Sequence, residues 1–298
     1  MVSSKNVLNL LFPVFAGVAT AAFSTPALAQ RNDPSPTYIG KIDPAARLAV
    51  LGTNVGLNGI ICGITAAVER RNVLKDTGQC MAAGTIQYMG MEMGMHDAPV
   101  LPGIGLRVVE TGTSIIDNTL AGREPFERLH YEFGPALFQI DLKNKGLDTY
   151  WRISPAAGII YNTARGNELN LFETFSYQTF IFNKDTDANA LNPDVGLTIG
   201  NIIFYDPKYP DIKAHEFNHV LQYVRFRPAQ LLVPEPLSFL EDTLHYRAGE
   251  DVANVLFYGI GKIGCAAIDD VPSCERRWWN LLEAESYTMQ TAYEKHQP

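Results

Sequence analysis

The run Ala214-His215-Glu216-Phe217-Asn218-His219-Val220-Leu221-Gln222-Tyr223 holds residue types whose spacing can do chemistry. On a helix, positions i and i+4 lie about 40° apart, so His215 and His219 project from one face at a distance that suits a shared metal ion. Glu216 falls about 100° round from His215, close enough to reach a water on that ion without binding the ion itself. Two imidazoles to hold Zn²⁺ and a carboxylate to take a proton from water are what zinc-assisted hydrolysis needs. Phe217, Val220, Leu221 and Val224 cluster opposite the histidines, which makes one helix face for a core and the other for a cleft. A solvent-facing His/Glu stripe without metal is the plainer alternative.

A hydrolytic zinc site takes three protein ligands and leaves the fourth position to water. The helical stretch Asn280–Tyr287 offers Glu283 and Glu285, and Glu283 ranks first as the third ligand. Glu241 comes next, with Asp242 and His245 close behind it on a helix expected after Pro236. A donor facing a developing oxyanion can come from Tyr223, His245, Tyr246, Arg247 or Tyr287, and the sequence does not choose among them. Gln222 reads as a helix cap or a cleft-lining residue and receives no catalytic step.

The elements around this motif fall into three textures. Residues 207–298 read as a helical zinc-binding region in which Asp211 can cap a helix running to about Tyr223. Residues 126–206 read as an antiparallel β meander of four strands: Leu137–Leu142, an extended Tyr150–Tyr161, Leu169–Phe182 and Leu197–Tyr205. In the third of these, Phe175, Tyr177, Thr179 and Ile181 would share a face. Residues 30–125 are glycine-rich, apolar and helical.

Within that first texture Leu48–Val68 carries no charge, and Gly52/Gly56 and Gly59/Gly63 repeat a spacing that lets helices approach closely. The expectation is a helix buried against Gly84–Met95 and Gly103–Ile116, with membrane apposition through Leu48–Val68 as the rival. Met89, Met91, Met93 and Met95 alternate ahead of His96. Soft thioethers can hold Cu(I), but filling an irregular core is the better reading.

The chain has 298 residues, 46% of them hydrophobic, and 24 Lys plus Arg against 32 Asp plus Glu give a net charge of −8. That excludes a disordered chain and argues against nucleic acid as a partner, since phosphate binding needs a basic face. Residues 1–29 have the form of a signal peptide: Lys5, an apolar stretch to Phe23, then Ala27-Leu28-Ala29 as a cleavage site. A periplasmic, outer-envelope or secreted protein is expected. Four cysteines in such a compartment permit two disulfides, and sequence proximity favours Cys62–Cys80 and Cys265–Cys274.

The stretch Leu197–Tyr223, a strand with a Gly-Asn turn followed by His-Glu-x-x-His-x-x-Gln, resembles a family of metallopeptidase domains found in bacterial envelope proteins and around extracellular contractile injection systems. Glu283-Ala284-Glu285-Ser286 is similar to the Glu-x-x-Ala element that supplies the glutamate ligand in gluzincins, with Ser286 in place of the alanine. The resemblance covers roughly a quarter of the chain. It implies an α+β, zincin-like fold with a small antiparallel sheet beside the active-site helix. It further implies His215, His219 and Glu283 as zinc ligands, Glu216 as general base, and a peptide or protein substrate. The alternative from another class is a non-catalytic envelope or secretion-apparatus component that keeps a structural zinc.

Overall fold

The computed structural model describes residues 44–96, 98–184, 196–225 and 227–228. Residues 1–29, Glu241, Asp242, His245, Tyr246, Arg247, Cys265, Cys274, Glu283, Glu285 and Tyr287 lie outside the described residues. Within them the chain is mixed α+β, with six helices and small sheets.

Three long helices come first: α1 (Pro44–Val68), α2 (Val73–Gly94) and α3 (Leu101–Leu120). The side chain of Asn72 caps α2 by accepting from Lys75 N at 3.0 Å, which starts the helix with only four residues between it and the end of α1. The glycines let backbones touch. A Cβ on Gly90 would lie 2.7 Å from the Gly105 carbonyl oxygen, so α2 and α3 close to a distance that only glycine permits there. The disulfide Cys62–Cys80 ties α1 to α2 at a Cα separation of 6.3 Å, the first of the two pairings expected.

The helix expected over Leu48–Val68 forms, but it packs mainly on one neighbour. It meets Gly84 of α2 closely through the Asn54 carbonyl and only lightly reaches α3. Between Val50 and Val68, a third of the apolar window is buried.

The expected four-strand meander is replaced by two sheets. Strands β1 (Arg128–Phe133), β2 (Ala136–Asp141) and β3 (Gly146–Trp151) form an antiparallel meander in the order β1-β2-β3. The chain does not stay extended through Tyr161. It turns at Arg152 into α4 (Ile153–Ala164), because Pro155 sits in the first turn, where a missing N–H costs nothing, and Ala156-Ala157 follow.

Leu169–Phe182 is likewise not one strand. It divides into β4 (Glu168–Leu169), α5 (Leu171–Tyr177) and β5 (Ile181–Asn183). Asn170 accepts from Glu173 N at 3.1 Å, and this local cap overrides the two-residue alternation that suggested a strand. Phe175 is consequently exposed and Tyr177 buried.

Leu197–Tyr205 is a hairpin rather than one strand: β6 (Gly196–Ile199) and β7 (Ile202–Tyr205) pair antiparallel around Gly200 at φ +63°. Strand β5 pairs parallel with β7, so the second sheet runs β4-β5-β7-β6 and is mixed. Helix α6 (Pro210–Arg225) covers β6 and β7 and also reaches α2 and α3. Its Phe217, Val220, Leu221 and Val224 are buried in one core with Met91, Met95, Leu106, Val109 and Ile203.

Candidate functional site

Helix α6 starts from the turn at Asp206, whose carboxylate accepts from Lys208 N at 3.0 Å, with Pro210 as its first residue. Burying the apolar stripe turns His215 and His219 toward each other on the opposite face. Their Nε2 atoms lie 3.2 Å apart and their rings stand nearly perpendicular, at 86°. Two nitrogens bound to one zinc at 2.0–2.1 Å with a tetrahedral angle would sit about 3.3 Å apart. The two imidazole nitrogens match that spacing. Both side chains are buried, at 7% and 4% exposure.

Gln222, to which the sequence reading gave no catalytic step, holds the second imidazole. Its Oε1 lies 2.8 Å from His219 Nδ1. An amide oxygen can only accept, so Nδ1 carries the proton and Nε2 presents a lone pair toward His215. The signal was present in the sequence: Gln222 is three residues beyond His219, within reach on the same helix face.

Glu216 is fixed from a different element. The Thr198 hydroxyl on β6 lies 2.7 Å from Glu216 Oε2 and 2.9 Å from the Glu216 main-chain oxygen. Gly196, on the same strand face, clears the space for this carboxylate. A Cβ there would lie 2.9 Å from Oε1 and 3.0 Å from Cγ. Neither residue is marked by the motif, since their role depends on a strand pairing that places β6 beside α6.

Tyr223 was one of the candidate oxyanion donors, and the fold uses it elsewhere. Its hydroxyl accepts from Arg152 Nη2, and the Arg152 guanidinium carbon stands 4.8 Å from the ring centroid. Arg152 also gives Nη1 to Glu132 Oε1 at 2.9 Å. Glu132 is the hub of a buried polar network: Asn201 Nδ2 donates to its Oε2 at 3.2 Å, and Arg227 lies 3.5 Å from Oε1. Arg227 also meets Asp117 at 3.2 Å. Through Glu132, strand β1, the β6–β7 turn and Arg227 just past α6 share one buried polar network. The site helix joins it through the Tyr223 hydroxyl and is held along its length by apolar packing.

Among the described residues no group of three or more His, Cys, Asp or Glu is placed to hold a metal. His215 and His219 are brought together, whereas Glu283, Glu285, Glu241, Asp242 and His245 fall outside the described part. The methionine run does not gather into a site either. On a helix, alternate residues point about 200° apart. Met91 and Met95 accordingly enter the core while Met89 is exposed.

The chain was compared with protein-family models, with curated proteins and with solved structures, and none of them matches it.

Proposed function

We propose that the protein is a zinc-dependent metallopeptidase with a zincin-like arrangement, exported to the bacterial envelope or beyond. The observation that supports it most is the 3.2 Å approach of the His215 and His219 Nε2 atoms on the helix that carries Glu216. In this reading His215, His219 and Glu283 hold Zn²⁺, with Glu285, Glu241, Asp242 and His245 as the other sources of a third ligand. When bound, the ion supplies Lewis-acid polarisation of a carbonyl and acidifies a water.

The chain's own residues do the rest. Glu216 takes the water's proton at Oε1 and passes it to the leaving amine, while Thr198 holds Oε2 and so fixes the carboxylate plane. Gln222, by accepting from His219 Nδ1, would keep the tautomer whose Nε2 can bind the ion. Among the described residues strand β6 ends the sheet order beside Glu216, and an extended peptide can add along such an edge with its scissile bond near the carboxylate.

The near-complete burial of His215, Glu216 and His219 favours one rival, a zinc that only staples the fold of a non-catalytic envelope or secretion-apparatus component. A quenched peptide library separates the two. Glu216→Gln should keep its zinc and lose cleavage of whatever peptide the wild type cuts. Wild-type turnover in Glu216→Gln would remove the mechanism, and zinc without turnover in both proteins would favour the staple.

A further inference from the structure

We propose that α1 is the protein's membrane-facing layer and lies in the plane of a lipid bilayer's interface. A surface helix of a globular protein normally shows a polar side to water, whereas one that is apolar all round is buried in protein or in lipid. Helix α1 has no charged side to show: Leu48–Val68 carries no charge, its polar side chains are Thr53, Asn54, Asn58 and Thr65, and only a third of the Val50–Val68 window is buried. Around it Leu48 is 70% exposed and Leu74 87%. Between α1 and α2 an open groove of about 580 Å³ is lined by Gly56, Gly59, Ile60, Gly63, Ile64 and Met81, among others, almost wholly with apolar atoms.

Three polar side chains of this layer make their hydrogen bonds inside the protein. Asn54 Nδ2 donates to the Val50 carbonyl at 2.8 Å, and Asn58 Nδ2 to Gln87 Oε1 at 3.0 Å. The exposed Thr85 turns its hydroxyl back onto the Met81 carbonyl at 3.1 Å. Hydrogen bonds spent internally make contact with hydrocarbon cheap. Charges stand at both ends of the layer: Arg47 pairs with Glu92 at one end, and Arg71 pairs with Glu69 and Asp76 at the other. The Leu48–Val68 stretch between them carries no charge.

The orientation follows from the layers. Helix α2 separates α1 from most of α3, and α3 packs along β1, α5 and α6. A crossing α1 would carry those sheets to the depth of the hydrocarbon, where open strand edges are not tolerated. An α1 lying flat keeps them in water.

Gly52 and Gly56 make the test clean, because a Cβ on either meets no atom within 4 Å and a glutamate there has better helix propensity than glycine. The chain from residue 30, its Gly52→Glu/Gly56→Glu variant, an Ile60→Glu variant and a control carrying Leu147→Glu/Ile160→Glu on another part of the molecule are floated with phosphatidylcholine vesicles containing phosphatidylglycerol. Wild type and control should co-float, and both α1 variants should bind about tenfold more weakly or worse, with circular dichroism unchanged. Equal flotation of all four proteins would overturn the proposal. So would a wild type that stays unbound and runs in light scattering as a dimer that the α1 variants dissociate, since the face would then belong to a second copy. A wild type that stays unbound as a monomer overturns it as well.

Discussion

The Thr198 hydroxyl lies within hydrogen-bonding distance of two oxygens of Glu216, Oε2 at 2.7 Å and the main-chain oxygen at 2.9 Å. A strand residue 18 positions upstream thus fixes both the carboxylate and the turn of helix that carries it. The contact joins β6 to the only carboxylate of the His-Glu-x-x-His motif, and it gives the sheet a part in positioning the proposed base.

Thr198→Val is the direct test of that part. A hydrogen bond to a carboxylate favours its charged form, so losing it raises the carboxyl's pKa. The variant should keep its zinc, lose about tenfold in kcat/KM, and show the acid limb of its pH profile moved to higher pH. Thr198→Ser, which keeps the hydroxyl, should restore both. An unchanged acid limb in Thr198→Val would leave Thr198 as a packing residue.

Gln222 should act on metal rather than on proton transfer. Outer partners of ligating histidines are worth about ten- to a hundredfold in affinity, so Gln222→Ala should weaken zinc by that factor in a chelator competition. Gln222→Glu, which still accepts from Nδ1, should recover most of it. Equal affinities in all three proteins would mean that His219 needs no orienting.

How much of this was legible beforehand depends on whether the signal is local. The helix carrying His215 and His219 could be read from a 3.6-residue pattern and five spaced residues, and its apolar face is buried as that pattern requires. The Cys62–Cys80 pairing followed from proximity. Strands failed where a single side chain decides the outcome: the Asn170 cap makes α5 out of an alternating segment, and Pro155 opens α4 where an extended run was expected. Thr198, Gly196 and the Glu132 hub were not readable, because their partners are brought in by sheet pairing across 18 to 95 residues of chain.

The buried network makes stability depend on pH through Glu110. This carboxyl is fully buried, accepting from Arg107 Nη1 at 2.5 Å and from Glu132 N at 2.7 Å. Burial pushes its pKa up to about 7 from an ordinary 4.5, against the pull of Arg107. The folded state therefore holds its proton more tightly than the unfolded chain. That contribution is fully present below pH 4.5 and is lost as the pH rises to about 7, by an amount on the order of 3 kcal/mol. Thermal melts of the wild type should lose Tm across this window, and Glu110→Gln should flatten the slope. A Glu110→Gln slope as steep as the wild type's would place the titration elsewhere.

Metal content of the purified chain, beside His215→Ala and Glu283→Ala, tests the central claim most directly. The account predicts one zinc per chain, lost in both variants. Zinc lost with His215 alone would move the third ligand to Glu285, Glu241, Asp242 or His245. No zinc under any loading condition would contradict the account and leave the two imidazoles as a packed pair on a helix.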